Sequence, residues 1–150
     1  MATYTDILMI QDSNGLFDFE IENHQVVLDD GFDTLIYNSL FTDRRASDLE
    51  VSDSKGRRGW PGDLNEATGR KIGSLLWLLE QSRLTQNTLN RAKDYAEKAL
   101  QWMIEDEYCS SININTSIVP GSGMQLDITI TSKIGNIKDN KITIWINTGN

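Results

Sequence analysis

From Ile112 onward the chain alternates apolar and polar side chains with a period of two. Ile112, Ile114, Thr116 and Ile118 interleave with Asn113, Asn115 and Ser117. Met124, Leu126, Ile128 and Ile130 interleave with Gln125, Asp127 and Thr129, and Ile142, Ile144 and Ile146 with Thr143, Trp145 and Asn147. Successive side chains of a strand point to opposite faces, so the pattern predicts three strands sharing one apolar face. Pro120-Gly121-Ser122-Gly123 and the stretch from Gly135 to Asn140 supply the turns of an antiparallel meander. Each fully buried Ile or Leu contributes roughly 1.5–3 kcal/mol, so the apolar face requires a cover.

A helical period precedes the meander. Leu89, Ala92, Ala96, Ala99, Leu100 and Met103 fall on one stripe of a helix that opens with Thr85 as N-cap and runs to about Glu105. This helix is the simplest cover for the meander. An earlier helix is predicted from roughly Thr68 to Arg83, with Ile72, Leu75, Leu76 and Leu79 on one face and Trp77 and Leu78 widening it. The short link Leu84-Thr85-Gln86 would make the two antiparallel. A further helix is predicted to start at Asp29 or Asp30 and to carry Phe32, Leu35, Ile36 and Leu40 inward. Residues Asp6 to Leu28 read as a hairpin, with Val26-Val27-Leu28 as a further short extended piece. Ile7 to Ile10 is apolar, Gln11-Asp12-Ser13-Asn14-Gly15 is a turn signal, and Phe17, Phe19 and Ile21 alternate with Asp18 and Glu20 as in a half-buried strand. The predicted fold class is α+β: the C-terminal three-stranded antiparallel meander and the N-terminal hairpin packed against two to three helices.

The segment from about Thr42 to Glu66 has no usable period. It contains Arg44-Arg45 and then Gly56-Arg57-Arg58-Gly59-Trp60-Pro61-Gly62-Asp63, which places four of the seven arginines in two doublets. Guanidinium binds carboxylates bidentately and stacks on indole, which an ammonium cannot copy. Two readings follow: a loop locked by its own Arg44, Arg45, Arg57 and Arg58 with Trp60 and Asp63, or a docking surface for an acidic partner. The rest of the composition suits a single domain over residues 1–150, with this loop ordered at about 42–66. The net charge of −8 argues against binding a phosphate backbone. No apolar run is long enough to cross a bilayer and the first residues lack a basic signal-peptide start, so synthesis and retention in a cytoplasm are expected.

Catalytic signatures are missing. His24 is the sole histidine and Cys109 the sole cysteine, so a nucleophilic site would need those two brought together, and the bland reading is a turn residue and a packing thiol. Metal-ligand spacing is absent, and the glycine-rich segment lacks the Lys-Ser/Thr ending of a phosphate cradle. Asp29-Asp30 and Glu105-Asp106-Glu107 carry no spacing signature of paired catalytic carboxylates, and the latter run at a helix C-terminus hints at a basic partner. No catalytic residue, cofactor or metal is assigned. Trp145 on the polar face of the last strand is either a lone exposed aromatic or an interface anchor.

The succession Ser39-Leu40-Phe41-Thr42-Asp43-Arg44-Arg45-Ala46, Arg57-Arg58-Gly59-Trp60-Pro61-Gly62-Asp63 and Gly73-Ser74-Leu75-Leu76-Trp77-Leu78-Leu79, continued by Ala99-Leu100-Gln101-Trp102-Met103-Ile104, resembles the Mu-type phage baseplate wedge family. That family is similar to the lysozyme-like wedge proteins that initiate the sheath of contractile tails. The resemblance implies a non-enzymatic virion subunit, in about six copies in a closed ring. The implied partners are other wedge proteins, the hub or tube, and the sheath. It also implies an open strand edge for sheath segments, for which Ile142, Ile144, Trp145 and Ile146 are the candidates. A cell-wall hydrolase with a lysozyme-like cleft and a soluble adaptor or binding module are the competing classes.

Overall fold

The computed structural model of the chain describes residues 6–29, 31–51, 56–65 and 67–144. The fold is α+β. Six short strands come first: β1 (Asp6–Ile7), β2 (Met9–Gln11), β3 (Phe17–Phe19), β4 (Ile21–Glu22), β5 (Gln25–Val26) and β6 (Leu28–Asp29). Helix α1 (Phe32–Phe41), two 3-10 turns (Pro61–Asn65 and Leu76–Leu79) and helix α2 (Gln86–Glu105) follow. Strands β7 (Ser111–Val119), β8 (Gly123–Thr131) and β9 (Ile137–Ile144) complete the order.

The meander forms as its alternation predicts, with β8 between β7 and β9 and both pairings antiparallel. Met124, Leu126, Ile128 and Ile130 of β8 are buried, and their cross-strand neighbours Ile114 and Ile142 join them. One boundary differs. Ser132 closes the last turn, its carbonyl accepting from Gly135 and its Oγ from Asn136, so the turn spans 132–136 and Ile137 to Asn140 already belong to β9. The register then places Lys138 opposite Ile130, on the apolar face. Lys138 Nζ lies 3.3 Å from the Asp33 carboxylate in the first turn of α1, tying that helix to the outer strand.

Helix α2 covers the meander as expected. Thr85 caps it, its Oγ1 accepting from Thr88 N at 3.2 Å, and Leu89, Ala92, Ala96, Ala99, Leu100 and Met103 are all buried. The alanines let the helix approach the isoleucine face closely. Trp102 Nε1–H donates to Ser39 Oγ at 3.0 Å and joins α2 to α1. The N-cap of α1 is Gly31 in a left-handed conformation, with no side-chain cap, which corrects the expectation of Asp29 or Asp30. Asp30 itself lies outside the described residues.

The helix expected from Thr68 to Arg83 does not form; only Leu76–Leu79 winds, as a 3-10 turn. Gly69 and Gly73 adopt positive φ, of 71° and 101°, which breaks any continuous right-handed helix through them. A Cβ on Gly73 would stand 2.2 Å from the Thr42 carbonyl oxygen. The close approach is used: Ser74 N–H donates to Thr42 O and Arg44 N–H to Ser74 O, each at 2.9 Å. Of the apolar residues at helical spacing Leu75, Leu76, Trp77 and Leu79 are still buried, whereas Ile72 is exposed.

The N-terminal region is also more than a hairpin. β1 pairs with β6, β2 with β3 and β4 with β5, all antiparallel, so three short ladders meet at one junction. Leu8 N–H donates to Val27 O at 2.9 Å, Val27 N–H to Glu20 O at 2.9 Å and Glu20 N–H to Leu8 O at 3.0 Å, closing a triangle of backbone bonds. Asp12 shapes one turn by accepting from the N–H groups of Asn14 and Leu16. Asn23 and His24, with φ of 49° and 62°, form the two-residue turn between β4 and β5. Phe17 docks this junction on α1, its ring 4.8 Å from that of Tyr37 and 4.7 Å from that of Phe41. Phe19 and Ile21 are exposed rather than half-buried.

Candidate functional site

No α-helix or extended β-ladder holds the described stretch between α1 and α2; side chains, two 3-10 turns and a few backbone bonds do. Thr42 to Ala46 is flanked on one side by Gly73-Ser74 and on the other by Arg57, whose carbonyl accepts from Ala46 N–H at 3.0 Å. Ser74 Oγ also donates to Leu40 O at the end of α1. Between these passes lies a small second core of Ala46, Val51, Leu75 and Trp77, against which Leu78 and Tyr95 pack.

Arg58 closes the top of this core. Its guanidinium sits 4.7 Å from the Trp77 ring centroid, donates to both Glu80 carboxylate oxygens at 3.0 and 2.9 Å, and reaches Asp43 Oδ2 at 3.1 Å. Trp77 in turn donates its Nε1–H to Arg44 O at 2.9 Å. One planar cation thus joins residues 43, 58, 77 and 80, the bidentate and stacking roles that favour arginine over lysine. The side chains of Arg58, Asp43 and Glu80 are 42%, 43% and 53% exposed, which decides the energetics. Each such ion pair is worth about 0–1 kcal/mol, and an exposed cation–π contact about 0.5–1 kcal/mol. Hydrogen bonding to Glu80, and then to Asp43, raises the Arg58 pKa further above its ordinary value.

The other arginines divide. Arg57 pairs with Asp48. Arg44 contributes its backbone carbonyl to Trp77, and its charge helps to hold the Glu50 carboxyl low, behind the larger effect of the Ser47 N–H bonded to that carboxylate. Arg45 is exposed, and among the described residues neither Arg44 nor Arg45 forms an ion pair within 4.0 Å. Gly59, at φ 124°, runs so close to Arg45 that an added Cβ would lie 2.9 Å from the arginine Cβ. Trp60 is half-exposed and lies over Gly62, away from the arginine-on-indole stack, which uses Trp77 instead. Asp63 Oδ1 accepts from Ile72 N–H at 3.1 Å and so ties the 3-10 turn to the returning chain.

Two residues outside the expected set are central here, Trp77 and Glu80. Their periodicity assigned them to a helix; Gly69 and Gly73 inside that span were the contrary signal. The acidic run after α2 finds its basic partners within the chain. Arg70 holds Asp106 through two hydrogen bonds and Lys133 holds Glu107 at 2.7 Å, and each contact lowers the carboxyl pKa.

Of the strand-edge candidates, Ile142 is fully buried in the main core. The backbone of Ile144 pairs with Met124, and Trp145 and Ile146 lie outside the described residues. Among the described residues β7 and β9 each pair with β8 alone. His24 occupies an exposed turn, while Cys109 is buried, which pushes its thiol pKa up. Among the described residues no group of three His, Cys, Asp or Glu side chains is placed to hold a metal, and no helix is long and apolar enough to cross a membrane.

Residues 32–137, which include the clamp, both helices and most of the meander, match the family described as phage protein GP46. The chain is 38% identical over 135 residues to baseplate protein gp46 of Escherichia phage Mu, covering 89% of this chain and 91% of that protein. It is 32% identical over 123 residues to Mu-like prophage FluMu protein gp46 of Haemophilus influenzae, covering 82% and 84% respectively.

Proposed function

This chain belongs to the phage protein GP46 family, a Mu-type baseplate family, and from that premise we propose that it is a non-enzymatic structural subunit of the baseplate of a contractile phage tail. The observation that carries the reading is the 38% identity, spread over nearly the whole length, to a protein named for the baseplate. In this reading residues 1–150 act as one wedge domain in the virion tail, made in the host cytoplasm. It joins other wedge proteins and the hub or tube, in about six copies around a closed ring, and helps to start the sheath.

The arginine clamp fits a scaffolding role. It fixes a long irregular segment against α1 and α2 without a further helix, presenting Trp60 and the exposed Leu64 of the first 3-10 turn on a held surface. Strand β9 supplies the second part of the proposal. Its inner face is anchored by Ile142, and its outer backbone is the edge to which an extended sheath segment would add by main-chain hydrogen bonding. Trp145 and Ile146 would extend that edge.

Purified phage particles provide the test. The chain is expected in the tail fraction, and deleting Trp145 to Asn150, which spares the buried Ile142, should leave a folded protein on which sheath fails to assemble. Normal sheath on that truncation rejects the edge role, and absence of the chain from tails rejects the baseplate role. Arg58→Ala should lower stability by about 1–2 kcal/mol, as for two exposed ion pairs and a stacked cation, and reduce tail incorporation. Release of peptidoglycan fragments by the purified chain, abolished by a single Asp or Glu substitution, would contradict the non-enzymatic reading.

A further inference from the structure

We propose that the exposed part of the apolar side of the N-terminal β-junction docks a segment of another protein that carries apolar side chains flanked by lysine or arginine. The inference rests on the baseplate reading for where that partner is found, in a neighbouring tail protein. Phe19, Ile21, Val26 and Leu28 are 51%, 63%, 45% and 60% exposed. They form one face. Phe19 and Ile21 are two residues apart on the same run of chain, Ile21 and Val26 are cross-strand partners, and Val26 and Leu28 are again two apart. The intervening Glu20 and Val27, whose backbones close the triangle with Leu8, are less exposed. Single exposed apolar residues are ordinary, whereas a clustered face on so short an element marks an interaction surface.

Charge identifies the occupant. Residues 1–43 contain nine Asp and Glu and no Lys or Arg, while the remaining residues hold 14 basic and 13 acidic side chains. The whole net charge of −8 is therefore carried by the first 43 residues. Asp18 and Glu22 flank Phe19 and Ile21 directly. Such a field repels a second copy of the same face, an anionic membrane and nucleic acid, and attracts a basic protein segment. The apolar residues would supply the buried centre and the carboxylates the rim that selects the partner.

The test uses the purified full chain and three short synthetic peptides, alternating Leu/Lys, Leu/Glu and Ser/Lys. The Leu/Lys peptide is expected to bind and to slow amide exchange within residues 16–28, with an affinity that falls several-fold between about 50 and 200 mM salt. The F19S/I21S variant should weaken that binding about tenfold or more while exchange across β7 and β8 stays unchanged. The D18K/E22K variant, which keeps the apolar face, should invert the preference toward Leu/Glu. Equal binding of Leu/Glu or Ser/Lys to the wild-type chain, protection elsewhere, dimerisation through this face, or unaltered binding by both variants overturns the proposal. In phage particles, F19S/I21S incorporated as well as wild type rejects this inference and leaves the baseplate reading standing; wild type missing from tails rejects that reading itself.

Discussion

The N-terminal junction and the C-terminal meander are written in the same period-two pattern, yet one exposes its apolar side chains and the other buries them. The difference lies in what stands opposite. Strands β7 to β9 face the alanine-rich stripe of α2, so Ile114, Leu126, Ile128 and Ile142 lose nearly all contact with solvent. The junction touches α1 through Phe17 and through Thr34 Oγ1 donating to Ile7 O, and beyond that contact Phe19, Ile21, Val26 and Leu28 stay exposed. Alternation specifies a two-faced strand; a cover has to be supplied by another element. Where the chain supplies none, the apolar face remains for a partner.

Core substitutions should separate the two regions most sharply. Leu100→Ala or Ile128→Ala is expected to cost about 2–5 kcal/mol in equilibrium urea unfolding, because each empties a fully buried site. Phe19→Ser or Leu28→Ser should stay within about 0.5 kcal/mol of wild type. Comparable losses from both pairs would mean that the junction face is covered in solution and the contrast is false.

Phe17→Ala should fall between these, at about 1–3 kcal/mol, since the ring is half-buried against Tyr37 and Phe41. Hydrogen exchange would sharpen the comparison: amides of residues 6–28 should lose protection in this variant while those of β8 keep theirs. Loss in both together would make the junction part of one cooperative unit with the meander.

Lys138→Ala tests a charged link between α1 and the apolar face of β9. It weakens the pairing of the largely buried Asp33 carboxylate, with an expected loss of about 1–2 kcal/mol by thermal or urea unfolding. No loss would show that Asp33 is served equally well by its other neighbours.

Acid should have the smallest effect, and on both regions. Asp12 in the junction turn and Asp106 and Glu107 after α2 have pKa values below their ordinary 3.8, 3.8 and 4.5, chiefly through the Leu16 N–H, Arg70 and Lys133. A lowered folded-state value means that the contribution is complete above the unfolded value and is lost as pH falls through the folded one. NMR titration of the Asn14 and Leu16 amides should therefore give a midpoint under 3.8. A midpoint at or above it removes Asp12 as the organiser of that turn.

Much of the fold was legible because it is written locally. Helix α2 was readable from its Thr85 cap and its stripe, and the meander from alternation between strong turn signals. The exception within the meander, the early start of β9, arises because Lys138 occupies an apolar-face position and breaks the pattern. The clamp was legible only in part. Clustered arginines pointed to carboxylate and indole partners, but Glu80 and Trp77 lie 22 and 19 residues away from Arg58 in the chain. No local spacing encodes such a pairing.

Sequence alone thus determined the elements whose signals repeat within a few residues: the α+β class, the inward stripe of α2, the faces of three strands and the absence of any catalytic spacing. Tertiary structure decided the rest. Gly73 was free to pass within reach of the Thr42 carbonyl, and this close approach turned a helical pattern into a 3-10 turn beside a backbone bridge. The backbone triangle of Leu8, Glu20 and Val27 turned a hairpin into a three-way junction. In each case the deciding interaction joins residues distant along the chain, so its energy depends on which segments fold against each other and cannot be read from either segment alone.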